Sequence, residues 1–385
     1  MTPPARIAAA IGILDDVLAG RPAEQALLRW SRASRFAGSG DRAAVRDLVY
    51  EALRRRNTLA ALGGAQNGRG LMIGYLRETG QQPDAFFTGH GHAPPPLDPA
   101  ETQMPASADI AHIADLPDWL LPQWHASLGA DAASIARAMG HRAPVWLRVN
   151  PARGQSAAAV DALAVDGISV TPHPDLPTAL KVTSGERGVA QSAAYRGGLV
   201  ELQDLSPQLA CDALPVQAGD RVLDFCAGGG GKTLAIGGRQ SGLDLVAHDA
   251  DPARMRDLPP RAERAGLSVR LTDDPRGPFD LVVADVPCSG SGTWRRSPDA
   301  KWRLTPAALD ELIRTQSAIL DRVAGLVAPG GHLAYMTCSL LRAENDAQAD
   351  AFLARHPGFT PVMRRLWTPM QGGDGFFLAL FRRTG

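Results

Sequence analysis

Two short turns, each with a cysteine, carry the residue types best suited to chemistry. The first cysteine turn reads Asp285-Val286-Pro287-Cys288-Ser289 and the second reads Thr337-Cys338-Ser339. Each follows an apolar run, FDLVVA or GHLAYM, that is typical of a buried strand. In a doubly wound parallel sheet, ligands and chemistry lie at the carboxyl ends of the strands, where both turns are expected. A lone cysteine there is more often a small buried hydrophobe. Two of them, one beside an acid and a proline, favour a catalytic function.

A glycine turn, VLDFCAGGGGKT over residues 222–233, is a third candidate site. It reads as a strand, a tight turn and a helix start, the usual place for a nucleotide-like ligand. A P-loop would need glycine where Cys226 stands, and a dinucleotide fingerprint beginning at Gly228 would need glycine where Thr233 stands. Both patterns fail. S-adenosylmethionine carries no diphosphate, so a wide glycine turn after an acidic strand end is sufficient for it.

Asp249 ends the next predicted strand, LDLVAHDAD, and stands 21 residues after Gly228. A carboxylate in that place can bind the two hydroxyls of a ribose. NAD would use the same acid, so the choice between NAD and S-adenosylmethionine depends on the cysteine turns.

Two thiols beside a carboxylic acid suit methylation of a pyrimidine carbon. Carbon 5 of cytosine is too weak a nucleophile to attack a sulfonium, but a thiolate that adds to carbon 6 converts the ring to an enamine. A carboxylic acid at ring nitrogen 3 stabilises the developing charge, and a second thiol or another base helps remove the carbon 5 proton. Position alone leaves open which cysteine attacks.

The elements that must position these residues alternate between strands and helices over residues 206–385. This alternation predicts an α/β fold with a doubly wound, mostly parallel sheet. TPAALDELIRTQSAILDRVAGLVAPG is expected to form one long amphipathic helix that its Pro and Gly end.

Other regions precede this sheet. Residues 5–62 place apolar residues at helical spacing, whereas residues 63–105, rich in Gly, Pro and His, predict a mobile connector. WLRVNP, AAAVDALAVDG and ISVTPHP read as strand, helix and strand of a small α+β module. The predicted domains are a helical domain, a connector with linking helices, the small module and the α/β domain, at residues 1–76, 77–141, 142–205 and 206–385.

Charge is unevenly distributed along the 385 residues, although the formal net charge is zero. Residues 1–76 contain eleven arginines and six acidic residues. Three successive arginines, residues 54–56, favour either a solvated helix face or a surface that contacts phosphates. Arg295, Arg296, Lys301 and Arg303 alternate with Trp294 and Trp302 after the first cysteine turn. That cluster predicts a clamp on a nucleic-acid backbone, with a charged surface loop as the alternative.

Composition also argues against some classes of protein. The four cysteines form no CxxC or CxxH pair, and His90 and His92 have no further ligands nearby, so no metal is expected. No apolar run reaches about 18 residues and no secretory pattern emerges, which predicts a cytoplasmic protein without a membrane partner.

Four ordered segments resemble the motifs of the RsmB/Sun family of RNA cytosine-5 methyltransferases: VLDFCAGGGGKT, AHDADPARM, FDLVVADVPCSGSGTWRRSPDAKW and GHLAYMTCSLLRAEN. GDGFFLALFRR resembles that family's last strand and WLRVNP its small RNA-binding module. Residues 1–76 more loosely resemble the NusB-like helical domain of one branch. The resemblance covers about residues 142–385. It implies a class I, Rossmann-like methyltransferase fold, S-adenosylmethionine as cofactor, and RNA as substrate, with ribosomal RNA favoured over transfer RNA.

The resemblance also implies roles for single residues. Cys338 would be the nucleophile and Cys288 would assist release of the adduct. Asp285 would hold and protonate the target cytosine, with Lys232 against the active site. DNA cytosine methyltransferases use the proline-cysteine turn instead, so Cys288 as nucleophile is the mechanistic alternative.

The same resemblance implies a set of residues at the cofactor. They are Cys226, Ala227, Gly228, Gly229, Gly230, Gly231, Lys232, Asp249, Arg254, Asp273, Asp274 and Asp285. Asp249 would take the ribose, Asp273 or else Asp274 would lie near the adenine, and the glycine turn would embrace the methionine end. The family pattern usually has proline where Gly229 stands. Glycine makes the unfolded turn more flexible, at a cost of at most about 1 kcal/mol.

Two other functions compete with RNA methylation. One is a non-catalytic RNA-binding or ribosome-assembly factor on a methyltransferase fold, against which the intact Asp285, Cys288 and Cys338 argue. The other is a small-molecule methyltransferase, which leaves the basic helices and WLRVNP unexplained. The sequence does not indicate an oligomeric state.

Overall fold

The computed structural model describes residues 1–103 and 114–385, which form two compact units. Unit 1 comprises Met1–Arg142 and Trp294–Thr305, and unit 2 comprises Ala143–Thr293 and Pro306–Gly385. The predicted connector falls in unit 1, and its residues 104–113 lie outside the described part. The predicted boundaries after residues 76 and 205 lie inside the units and stay predictions.

Helices build unit 1, as its apolar spacing predicts. From the N-terminus they are α1 (Pro3–Leu18), α2 (Ala23–Ala33), α3 (Ser39–Arg54), α4 (Arg56–Gly63), α5 (Gly68–Glu78), α6 (Leu121–Leu128) and α7 (Ala132–Met139). Ile7 and Leu14 of α1 are buried in one core with Val45, Val49 and Leu53 of α3. The apolar stripes of the two helices therefore face each other.

The expectation of a mobile connector over residues 63–105 is wrong at its start, where α5 lies. A Cβ on Gly63 would lie 1.8 Å from the carbonyl oxygen of Gly70, and one on Gly74 would lie 2.0 Å from that of Leu59. Helices α4 and α5 approach so closely that only glycine fits between them. Glycine in this segment permits close packing, so it does not signal a loop.

The small α+β module forms an antiparallel sheet in unit 2. Its elements are β1 (Trp146–Val149), α8 (Ser156–Val165), β2 (Ser169–Pro172), β3 (Ala179–Ser184), α9 (Ala193–Arg196) and β4 (Val200–Leu202). The strand order is β2-β3-β1-β4. The predicted strand, helix and strand of this region are confirmed as β1, α8 and β2.

The rest of unit 2 is organised around a sheet of seven strands. The elements that follow β4 in the chain are α10 (Leu205–Asp212), β5 (Arg221–Asp224), α11 (Gly231–Arg239), β6 (Asp244–Ala247), α12 (Leu258–Ala265), β7 (Val269–Leu271), β8 (Phe279–Asp285), α13 (Pro298–Arg303), α14 (Pro306–Ala324), β9 (Val327–Thr337), α15 (Asp346–Arg355), β10 (Phe359–Trp367) and β11 (Phe376–Arg383). Of these, α13 belongs to unit 1 and the others to unit 2. Strands β9-β8-β5-β6-β7 are parallel, and β11 and β10 extend the β9 edge antiparallel. The predicted doubly wound, mostly parallel sheet is confirmed.

The chain reverses its winding direction beside β5. It runs from β5 outwards through β6 and β7, then returns to β8 on the other side of β5. Both faces of these strands are buried, with Leu223 and Val282 in one core and Val222 and Leu281 in another. The carboxyl ends of β5 and β8 therefore form a topological switch point, where ligands bind in such folds.

The expected helix over residues 305–330 ends earlier than its sequence suggested. Helix α14 stops at Ala324, and Val327 already pairs with Phe279 in the sheet. Gly330, at φ +78°, lies inside β9, where the register with β8 shifts. The Pro-Gly pair thus accommodates an irregularity in a strand. Within the described residues, no helix is long and apolar enough to cross a membrane.

The basic cluster after the first cysteine turn belongs to unit 1. Lys301 and Arg295 are buried, and Lys301 Nζ donates to the carbonyl oxygen of Arg54 at 2.8 Å. Burial lowers the pKa of Lys301 to about 7. Trp294 stacks on Trp124 with ring centroids 6.3 Å apart. A clamp on nucleic acid is therefore wrong for these buried side chains, while Arg296 and Arg303 are exposed.

The three successive arginines are also occupied within unit 1. Arg54 is buried and its Nε donates to the carbonyl oxygen of Arg295 at 2.7 Å. Arg55 forms ion pairs with Glu51 and Glu78. Arg56 lies over the ring of Trp302, 4.9 Å from its centroid. All three side chains thus have partners within unit 1, and Arg56 contacts α13 itself, so neither a solvated face nor a phosphate surface describes them.

We expect Gly74→Ala to lower the free energy of unfolding by roughly 1–3 kcal/mol, because the added methyl overpacks the contact between α4 and α5. Gly12→Ala is the matched control, since a Cβ there meets no atom within 4 Å. It should raise the stability of α1 by up to about 1 kcal/mol. Urea unfolding of the full chain measures both, and equal stabilisation by the two substitutions would contradict the close packing.

Candidate active site

The two cysteine turns meet at the carboxyl edge of the large sheet. β8 ends at Asp285 and β9 at Thr337, and the two strands are parallel neighbours paired through Asp285 and Met336. Cys288 Sγ lies 3.4 Å from Cys338 Sγ. Both residues are partly buried, and neither is in a disulfide. The sequence prediction that the two thiols share one site thus corresponds to a direct contact.

The thiol contact makes the two cysteines chemically unequal. The hydrogen bond from Cys288 lowers the pKa of Cys338, and nearby Lys232 adds to this against the opposing effect of burial. The same hydrogen bond, together with burial, raises the pKa of Cys288 well above its usual value. Burial raises the pKa of Cys226 and of Cys211 to about 12. Cys338 is therefore the thiol of this chain most readily ionised, and thiolates are the reactive form.

Lys232 and Asp285 form an ion pair beside the thiols. Burial alone would lower the pKa of Lys232, but the Asp285 carboxylate outweighs it, and the pKa lies above the usual range. Lys232 Nζ also lies 5.5 Å from the ring centroid of Phe376. The lysine is therefore protonated and positively charged next to the Asp285 carboxylate.

The glycine turn joins β5 to α11 in a conformation that requires glycine. Gly228 and Gly230 have φ of +48° and +80°, and a Cβ on Gly230 would lie 2.1 Å from the Leu258 side chain. The amide of Gly228 donates to Asp249 Oδ2 at 3.0 Å. Asp249 is buried and pairs with Arg254, whose Nη1 is 3.4 Å from Oδ2. The structure thus brings Asp249 and Arg254 to the glycine turn, and their contact with a cofactor stays a prediction.

Asp224, at the end of β5, was not among the predicted site residues. Its Oδ2 accepts hydrogen bonds from the amide and hydroxyl of Thr233, at 3.1 and 2.6 Å. Its Oδ1 is buried and accepts no hydrogen bond from any described residue. Burial raises the pKa of Asp224 to about 6. A buried acceptor without a partner at the start of a glycine turn is a candidate ligand contact.

Two of the predicted cofactor residues differ from these buried groups in their exposure. Asp273 and Asp274 follow β7 and are both exposed, and Asp274 pairs with Arg276 at 3.0 Å. Ala227 is buried, and its amide donates to the carbonyl oxygen of His248 at 2.9 Å. Within residues 1–103 and 114–385, no group of three or more His, Cys, Asp or Glu could hold a metal ion.

Comparison with known proteins assigns this chain to a family. A family model described as 16S rRNA methyltransferase RsmB/F matches residues 211–382, and one for a ferredoxin-like domain of RsmF/B-like methyltransferases matches residues 116–187. Ribosomal RNA small subunit methyltransferase B of Xylella fastidiosa is 37% identical to this chain over 291 residues, 70% of this chain and 67% of that protein. The chain belongs to the RsmB/F methyltransferase family.

Another relative agrees with this assignment, and a solved structure shows the same fold. Ribosomal RNA small subunit methyltransferase B of Salmonella arizonae is 34% identical over 282 residues, 68% of this chain and 65% of that protein. The chain thus spans about two thirds of the length of these relatives. The crystal structure of PH0851 covers 100% of this chain and 99% of its own, with a TM-score of 0.77 at 22% identity. The class I methyltransferase fold predicted from the sequence is confirmed.

Gly229, the departure from the RsmB/F pattern, has a contact of its own. Its carbonyl oxygen accepts a hydrogen bond from Arg261, and a Cβ at residue 229 would lie 3.0 Å from Arg261 Nη1. Glu201, buried on β4, holds Arg261 at 2.8 Å and also pairs with Arg264. Tertiary contacts therefore restrain the turn at the position where the family pattern has proline.

The small sheet supplies two further contacts to the glycine turn. Arg148, buried on β1, donates from Nη1 to the carbonyl oxygen of Gly231 at 2.9 Å. Gln203, just after β4, donates to the same oxygen at 3.2 Å. Sequence analysis missed Arg148, Glu201, Gln203 and Arg261 because they lie in separate segments. Burial of a charged residue is a property of the fold, and no local motif predicts it.

Cys338 should react with iodoacetamide at least about tenfold faster than Cys288 at neutral pH, since each unit of pKa is a factor of ten in thiolate population. Mass spectrometry of labelled peptides over time measures both rates. Faster labelling of Cys288 would reverse the assignment of the two thiols.

Lys232→Met should move the midpoint of the Cys338 pH–rate profile upwards, because it removes a cation that favours the thiolate. Lys181→Met, at an exposed lysine of β3, should leave the midpoint unchanged.

Proposed function

We propose that this protein transfers a methyl group from S-adenosylmethionine to carbon 5 of a cytosine in ribosomal RNA, through a covalent cysteine adduct. The contact between Cys288 and Cys338, beside the Lys232–Asp285 ion pair, carries the proposal. Methylation of this ring carbon needs a nucleophilic thiolate, a proton for the ring and a base, and these residues can supply all three. Ribosomal RNA is favoured because the relatives at 34–37% identity are named as ribosomal RNA methyltransferases.

In the proposed reaction, the Cys338 thiolate adds to carbon 6 of cytosine. A sulfur–carbon bond forms, and the electrons of the double bond between carbons 5 and 6 are delocalised into the ring. The Asp285–Lys232 pair holds the base at ring nitrogen 3 and supplies the proton that this nitrogen takes up. The cofactor, when bound, supplies a methyl group on a positively charged sulfur, which the enriched carbon 5 can accept.

The two thiols would act in sequence. The hydrogen bond to Cys338, burial and the negative charge of Cys338 all raise the pKa of Cys288, so Cys288 keeps its proton while Cys338 is a thiolate. Once Cys338 is bonded to carbon 6, its charge is gone and ionisation of Cys288 becomes easier. Cys288 can then lose its own proton to solvent and, as a thiolate, take up the carbon 5 proton. The bond between sulfur and carbon 6 breaks, Cys338 leaves as a thiolate, and ring nitrogen 3 returns its proton to the Asp285–Lys232 pair.

The residues of the glycine turn fit S-adenosylmethionine. The unpartnered Oδ1 of Asp224 is a buried acceptor that suits the ammonium group of the methionine end. Gly228 and Gly230 leave backbone free of side chains at the turn. Asp249 would accept from the ribose hydroxyls, with Arg254 beside it, and Asp273 or Asp274 would lie near the adenine. A cytoplasmic location, expected from the sequence, is compatible with a ribosomal RNA substrate.

Cys338→Ala should abolish 5-methylcytosine formation, and Cys288→Ala should accumulate a covalent protein–RNA adduct because release fails. Bisulfite sequencing of total RNA from a deletion strain complemented with each variant locates the cytosine. Denaturing gels of the purified variants reveal the adduct. Full methylation by Cys338→Ala would overturn the proposed roles. No bisulfite difference between the deletion strain and its parent would favour the non-catalytic assembly factor.

Arg261→Met should weaken binding of S-adenosylhomocysteine by about tenfold or more, because a charge-assisted hydrogen bond contributes roughly 1.5–3 kcal/mol. Arg264→Met is the matched control, since Arg264 pairs with the same Glu201 and is not hydrogen-bonded to the glycine turn. Isothermal titration calorimetry compares the two. Equal affinity for both variants would show that the contact to Gly229 does not support the cofactor site.

A further inference from the structure

A single buried carboxylate joins the two cysteine turns. Glu344, between β9 and α15, is fully buried. Its Oε1 accepts a hydrogen bond from the amide of Ser289 at 2.7 Å, and its Oε2 accepts from the hydroxyls of Ser289 and Ser339. Ser289 follows Cys288 and Ser339 follows Cys338. The residues next to the two thiols are therefore bound to one side chain.

The carboxylate is itself held in place from two directions. Gln316 of α14 donates from Nε2 to Glu344 Oε1 and to the carbonyl oxygen of Pro287, both at 3.0 Å. The hydroxyl of Tyr335, on β9, donates to the backbone carbonyl oxygen of Glu344. Buried networks in which every polar group has a partner are rigid. Glu344 can therefore transmit the position of the strand and the helix to both turns.

A second link joins the same turns without Glu344. The amide of Leu340 donates to Ser291 Oγ at 2.8 Å, and Ser291 Oγ lies 3.0 Å from Ser339 Oγ. The amide of Gly292 donates to the carbonyl oxygen of Cys338 at 2.9 Å. The turns should thus stay close when Glu344 is changed, and what Glu344 adds is the exact placement of the residues beside the thiols.

We propose that Glu344 is a positioning residue that keeps Cys288 Sγ and Cys338 Sγ in contact by binding Ser289 and Ser339 together. A carboxylate is required because four donors converge on its two oxygens, and an amide offers only one oxygen to them. The significance of this role rests on the proposed two-thiol reaction. The contact itself can be measured without RNA or cofactor.

The test uses Glu344→Gln, which has nearly the same shape and keeps one accepting oxygen. Diamide converts two neighbouring thiols to a disulfide: a sulfur–sulfur bond forms, and diamide takes up the two electrons and two protons. In the full chain, the rate of Cys288–Cys338 disulfide formation should fall at least about tenfold in Glu344→Gln, as expected for displacement of reacting groups by a fraction of an ångström to about 1 Å. Peptide mapping identifies the bond.

Glu201→Gln is the matched control, because Glu201 is a buried glutamate of the same unit that binds Arg261 and Arg264. It should form the disulfide at the wild-type rate while weakening S-adenosylhomocysteine binding. Glu344→Gln should do the opposite and leave that affinity unchanged. A merely structural loss would slow or weaken both properties in both variants, which would overturn the proposal.

Further outcomes test the positioning role of Glu344 separately from the proposed function. A wild-type disulfide rate in Glu344→Gln would overturn the positioning role, as would failure of the wild-type chain to form this disulfide at all. If Glu344→Gln slows the disulfide but Cys338→Ala still methylates RNA, the positioning role stands and the proposed function fails. If both proposals hold, formation of the covalent adduct should slow in Glu344→Gln by a factor similar to that of the disulfide.

Discussion

Adjacent parallel strands end at the same edge of a sheet, and the chemistry of this protein depends on that constraint. β5, β8 and β9 are neighbours, so the glycine turn, Asp285 and the two cysteines meet although more than a hundred residues separate the first from the last. The hydrogen bond between the thiols follows from this meeting. It lowers the pKa of the Cys338 thiol and raises that of the Cys288 thiol, so the two cysteines differ in acidity.

The site is built largely from charged groups that have been taken out of water. Glu344, Glu201 and the Lys232–Asp285 pair are buried wholly or in large part, and each finds partners that replace lost hydration. Removing one partner from such a pair typically costs about 3–5 kcal/mol, since the other charge is left uncompensated. The arrangement consequently has few neighbouring conformations of similar energy. That rigidity suits the proposed reaction, in which Cys338 and Cys288 act in sequence on one ring.

The features that could be predicted from the sequence are those written into a continuous stretch. Residue type at a predicted strand end identifies the cysteine turns, the glycine turn and Asp249. Apolar strand patterns that alternate with helical patterns predict the parallel sheet. Glu344 could not be identified in this way, because its partner Ser289 is 55 residues away and no spacing rule connects them. The glycines of α5 suggested a loop for a related reason. Their close neighbours in α4 exist only in the folded unit.

For residues 294–305 the prediction was wrong for the opposite reason. A local sequence pattern was present, but the contacts that explain it are with residues far away in the chain. Alternating tryptophans and basic residues suggest a surface that meets nucleic acid, whereas Lys301 and Trp294 complete the interior of unit 1. The helical unit is therefore encoded in two separated stretches of the gene. During translation helices α1–α7 emerge long before α13, so the unit cannot be finished until the ribosome has passed Thr305. Exchange of this unit between family members would have to carry both stretches, and a fragment cut after Arg142 would leave Trp124 without its stacked ring.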